Sequence, residues 1–111
     1  MGFDLYITRN EFWAVSQTPI TKSEWLTLVE NDPELELVPE MSDTFAEWHG
    51  DSLYDQAWLD WSKSGYISTK WPDTALYQKM LSIAKQLGAK VQDEDGTNYP
   101  VDADWEFTPD T

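Results

Sequence analysis

A chain of 111 residues and 12.9 kDa has room for one domain, 1–111, built around one core. It has no cysteine, which excludes disulfides, thiolate metal sites and thiol catalysis. Its single histidine excludes His-pair metal motifs, and its net charge of −14 argues against nucleic acid or anionic lipid as a partner.

The charge is unevenly placed. Ser23 to Ser62 holds eleven acids and no lysine or arginine. Residues 93–111 hold seven more acids and again no base, whereas Lys63 to Lys90 carries five lysines against Asp73 alone. Two acid-only blocks suit a basic protein partner, met fastest at low salt, although a well-solvated surface would read the same way. The lysine segment could also meet the acidic block of a second copy, so a homodimer is a further expectation. No apolar run approaches the ~20 residues that span a bilayer. The opening Met-Gly-Phe-Asp lacks the basic and apolar regions of a signal peptide, so the expected location is cytoplasmic.

Phe3 to Arg9 alternates apolar and polar residues and predicts a strand with one buried face. Glu11 to Thr18 reads as a loop that turns its aromatics inward and ends at Pro19. Thr21-Lys22-Ser23-Glu24 is a capping box, and Ile20 with Trp25 has the spacing of a hydrophobic staple. The helix so begun should end near Asn31, because Asp32 precedes Pro33 and is pushed toward extended geometry.

Leu35 to Val38 is a short, doubtful strand. Thr44 to Trp48 is a firmer one, with Phe45 and Glu47 on one face and Ala46 and Trp48 on the other. His49 to Asp55 contains turn residues. Ala57 to Trp61 and Tyr66 to Lys70 form a hairpin through Ser62-Lys63-Ser64-Gly65.

Pro72 and Asp73 suit the first turn of a second helix. Leu76, Met80, Ile83, Ala84 and Leu87 give that helix an apolar stripe, and Gly88 is placed to end it. Ala89 to Gln92 is a strand, Asp93 to Gly96 a turn, and Thr97 to Tyr99 can pair back. Residues 100–111 form an acidic segment expected to be partly mobile. The expected fold is α+β: a mainly antiparallel sheet of about four to five strands with two amphipathic helices packed on one face.

Glu47, Asp51, Asp55 and Asp60 lie among aromatics, as glycosidase carboxylates do, but a chain with 21 acids yields such groupings by chance. His49 is better read as a hydrogen-bonding surface residue than as a base. Asp93-Glu94-Asp95-Gly96 resembles a calcium loop only superficially, since Val91 would stand at the first ligand position. Trp48, Trp58, Trp61 and Trp71 could form a stacking platform, yet alternation sends Trp58 and Trp61 to opposite faces. No catalytic residue, metal or cofactor is expected.

A resemblance adds to this reading. Phe3 to Arg9, Glu24-Trp25-Leu26, Asp32-Pro33-Glu34-Leu35, Trp58-Leu59-Asp60-Trp61, Gly65-Tyr66-Ile67 and Leu87 to Gln92 resemble the corresponding segments of a group of small, uncharacterised bacterial proteins with an FDLYITR-type opening. In that pattern an asparagine precedes the Pro-Asp pair; here Trp71 stands there. The group is similar in size and charge to immunity proteins of toxin–immunity pairs, including contact-dependent inhibition and type VI secretion systems. The resemblance implies a non-enzymatic inhibitor that covers a basic toxin domain, most simply a nuclease. The expected contact surface is Glu47, Asp51, Asp55 and Asp60, with Trp48 and Tyr54 as anchors, and Asp93, Glu94 and Asp95 as a second patch. The alternative is a small-ligand or carbohydrate-binding module using exposed tryptophans.

Overall fold

The structure, a computed structural model, describes residues 4–15, 17–52, 57–70 and 72–99. Along these run β1 (Asp4–Thr8), α1 (Lys22–Asn31), β2 (Leu35–Leu37), β3 (Phe45–Trp48) and β4 (Ala57–Trp61). They are followed by β5 (Ile67–Lys70), α2 (Thr74–Leu87), β6 (Lys90–Asp93) and β7 (Asn98–Tyr99). The strands form one sheet in the order β2-β3-β4-β5-β1-β6-β7, and every neighbouring pair is antiparallel.

The class is the expected α+β, but the sheet has seven strands rather than four or five. The difference lies at the edges. β2 has three residues and β7 two; they fall in the segments Leu35–Val38 and Thr97–Tyr99, whose strand signal is weak at that length. They are strands because β3 and β6 offer them a pairing edge.

Alternation sorts the side chains. Leu5 and Ile7 of β1 point to one side, and register sets Thr69 and Ile67 of β5 and Val91 of β6 beside them. Leu59, Ala46, Trp48, Leu35 and Tyr99 continue the same side across the sheet. These residues form a single buried cluster with Trp25, Leu28 and Val29 of α1 and Leu76, Tyr77, Met80, Ile83 and Ala84 of α2. Both helices therefore cover one side of the sheet. Each fully buried Leu, Ile or Met there contributes roughly 1.5–3 kcal/mol.

The helix ends follow local chemistry. Thr21 caps α1 in the full capping-box arrangement, and the chain turns extended at Asp32. Ile20 and Trp25, the staple pair, are both fully buried. In α2 the cap is Asp73, whose carboxylate accepts the Leu76 amide at 3.0 Å. Pro72 thus precedes the helix instead of starting it, because the short Asp73 side chain occupies the capping position itself. Gly88 ends the helix with φ of 62°, a conformation glycine adopts without strain.

The loop before α1 does not turn inward toward the main core as expected. Trp13 lies on the helix-free side of the sheet, stacked on Tyr6 with ring centroids 3.8 Å apart, while Phe12 and Val15 remain exposed. The Trp13 amide donates to Gln92 Oε1 and its indole nitrogen to the Glu94 carbonyl, which fixes the loop over β1 and β6. No helix among the described residues is long and apolar enough to cross a membrane. The acidic segment 100–111 lies outside the described residues.

Candidate partner-binding face

With both helices on one side, no helix among the described residues covers the other side of the sheet. The loop carrying Trp13 covers only the β1–β6 half of it; Tyr66 completes that cluster with edge-on contacts to Tyr6 and Trp13. The β2–β4 half keeps half-exposed side chains. There the register builds a small checkerboard. Phe45 stands opposite Asp60, and Glu47 opposite Trp58. The two aromatics stack along one diagonal, with centroids 5.3 Å apart and planes 21° apart. The two carboxylates occupy the other diagonal. Glu36 of β2 faces Glu47 directly and extends the acidic row.

These carboxylates are not equivalent. Asp60 Oδ1 accepts the Thr44 hydroxyl at 2.7 Å, so it helps hold β3 to β4. Glu36 lies 3.2 Å from His49 Nε2. The Glu47 carboxylate makes no hydrogen bond or ion pair among the described residues. Like charges directly opposite on neighbouring strands destabilise a sheet, so the Glu36–Glu47 pair carries a cost in the free protein that the His49 contact meets on the Glu36 side alone.

A groove of about 300 Å³ opens beside this pair. Its walls are Val38, Glu40, Met41, Phe45, Glu47 and Trp58. The turn between β2 and β3, closed by the Met41 amide on the Val38 carbonyl, carries Met41 out beside the rings, where it is 64% exposed. A larger groove, about 630 Å³, runs between α1 and the end of α2. Both its carboxylates are already engaged: Asp32 by Lys79 at 2.7 Å, and Glu24 by Arg9, which holds Glu24 well below the usual carboxylate range, at about 2.

The expected contact residues separate accordingly. Glu47 and Asp60 share the helix-free face, and Asp51 is exposed on the loop leaving β3. Tyr54 and Asp55 lie outside the described residues. Trp48 is not the exposed anchor expected: it is 9% exposed on the helix-covered side, with its indole nitrogen donating to Glu34 at 3.1 Å. Alternation dictates this, since Trp48 shares a side with buried Ala46. Asp93 ends β6 and Glu94 and Asp95 follow in the turn, four strand spacings and so about 19 Å from β3. They do not join the Glu47 patch. Asp93 is occupied by the turn itself, accepting the amides of Asp95 and Thr97 and the Tyr99 hydroxyl. Burial and that bond to Asp93 push the Tyr99 phenol up to about 12.

The tryptophans do not gather into a platform among the described residues. Trp25 and Trp48 are core residues, Trp61 packs against the core and donates to the Ile20 carbonyl, and Trp13 covers Tyr6. Trp58 alone of these lines the groove. Sequence reading placed Phe45 and Glu47 on one face, but it missed Glu40, Met41 and the stacking of Phe45 on Trp58. The signal available was the odd spacing of Trp58 and Trp61, which frees one of them from the core. In comparisons with known proteins, no family model matches the chain, and neither a curated protein nor a solved structure matches it.

Proposed function

We propose that the chain is an immunity-type inhibitor. It binds a basic toxin domain, most simply a nuclease, and occludes it without chemistry of its own. The observation that supports this most directly is the Glu36–Glu47 pair on the uncovered half of the sheet. Two carboxylates held opposite each other lower the stability of the free protein and gain from a cationic partner. The net charge of −14 would speed the encounter with such a partner and leave it sensitive to salt.

The test is affinity capture from the native strain at low salt, followed by coexpression of the captured chain with this protein. One basic chain that survives a moderate salt wash, and whose toxicity is relieved by coexpression, is the expected result. Glu47→Lys combined with Asp51→Lys should weaken that complex at least about tenfold by placing like charges against the partner. Scattered basic proteins lost together as salt rises would overturn the reading.

A carbohydrate-binding module is the second reading, favoured by the half-exposed Phe45–Trp58 stack. A panel of neutral oligosaccharides that shifts tryptophan fluorescence would support it over the first.

A further inference from the structure

We propose that the groove beside the Phe45–Trp58 stack receives an arginine side chain of the basic partner, with its guanidinium between the rings' wall and the carboxylates of Glu40 and Glu47. The inference rests on the partner-binding reading above and names what the face recognises.

The lining residues carry the argument. A guanidinium is planar, weakly hydrated and permanently charged, so it lies against aromatic rings and takes carboxylate oxygens at its edge. The groove offers both surfaces at once: Phe45 and Trp58 on one hand, Glu40 and Glu47 on the other. Glu47 has no partner among the described residues, so its oxygens need not release one to bind. Val38 and Met41 supply apolar surface for the arginine's methylene stem. Met41, flexible and exposed at the lip, can close over the stem.

No lysine or arginine among the described residues lines the groove. Among the described residues, the ion pairs of Arg9, Lys22 and Lys79 lie elsewhere, and His49 sits against Glu36, which does not line the groove. Ammonium is a poorer fit, because a compact, strongly hydrated point charge gains less from ring faces and cannot take carboxylates in fork geometry.

The test uses the full chain and three tetrapeptides: tetra-arginine, tetra-lysine and tetra-citrulline, the last a neutral isostere of the first. Binding is followed by NMR on the Met41 methyl and the Trp58 indole at physiological salt. Tetra-arginine should shift both signals saturably, bind at least about fivefold tighter than tetra-lysine, and lose at least about tenfold in Glu40→Gln/Glu47→Gln. Trp58→Leu should weaken it further with the thermal melting curve retained.

Equal binding of tetra-citrulline, equal binding of tetra-lysine, or shifts confined to other acidic residues would overturn the proposal. So would a neutral oligosaccharide occupying the groove in place of the peptide. Failure here with toxin capture intact removes the arginine site alone. Loss of capture, with the groove still selecting arginine, removes the inhibitor reading alone.

Discussion

Arg9 and Glu24 form a two-pronged ion pair that ties the chain just after β1 to the first turn of α1. Nη1 of Arg9 donates to Oε1 of Glu24 at 2.9 Å and Nη2 to Oε2, while Nε donates to the Leu87 carbonyl at 2.8 Å. One guanidinium thus joins β1, the start of α1 and the end of α2. Glu24 serves twice, since it also closes the capping box with Thr21.

That arrangement predicts an acid-dependent loss of stability. The Arg9 bonds, then those from Thr21, lower Glu24 from its ordinary 4.5 to about 2. A carboxylate depressed in the folded state contributes stability that is fully present above its unfolded value and lost as pH falls from about 4.5 toward 2. Glu24→Gln should therefore cost about 1 kcal/mol at neutral pH, the discounted value of a part-exposed pair, and nothing near pH 2. Urea midpoints of both proteins across that range check it; parallel curves would mean that Glu24 carries no linked proton.

Lys79 of α2 reaches Asp32 at 2.7 Å and Glu34 at 2.9 Å, binding the second helix to the end of the first. Burial pulls its pKa down, but the bonds to Asp32 and Glu34 outweigh that and hold it above the ordinary lysine value. The lysine segment thus neutralises part of the acidic block within one chain. Lys79→Met keeps the apolar stem but leaves Asp32 without this counter-ion. It should lower stability by about 1–3 kcal/mol. Chemical denaturation should show a lower midpoint with an unchanged slope.

Gly50 lies under the indole of Trp48. A Cβ added there would stand 2.1 Å from a ring carbon, closer than any real contact. Gly50→Ala must therefore displace the Trp48 ring and its bond to Glu34. The expected cost is about 1–3 kcal/mol. Near-ultraviolet circular dichroism should change along with the melting temperature; a silent substitution would mean that the loop simply moves aside.

Replacing Glu47 should have the opposite sign. Glu47→Gln removes the like-charge opposition to Glu36 and should stabilise the free protein by about 0.2–1 kcal/mol. If the acidic face serves a partner, the same change weakens binding, so stability and affinity move apart. Thermal unfolding and affinity measured on the one variant decide this.

Asp73→Ala should unravel the first turn of α2, because Asp73 caps the Leu76 amide and also accepts the Ser52 hydroxyl at 3.0 Å. A loss of about 1–2 kcal/mol follows from the cap. Asp73→Asn, which keeps an acceptor, should recover most of it.

The features legible in the amino-acid order are local. The capping box at Thr21, the stop at Asp32-Pro33, the α2 stripe ending at Gly88 and the opposite facing of Phe45 and Trp48 all depend on residues within a few positions of each other. Periodicity and capping are short-range physics, so they are legible without a fold. Tertiary structure alone decided that β1 lies between β5 and β6, and that the loop holding Trp13 covers one half of the open face and leaves the other bare. It also decided that Lys79 is spent on Asp32, and that Phe45 meets Trp58. Those outcomes are set by contacts between segments far apart in the chain, where register and packing across the whole core choose among pairings that look alike one segment at a time.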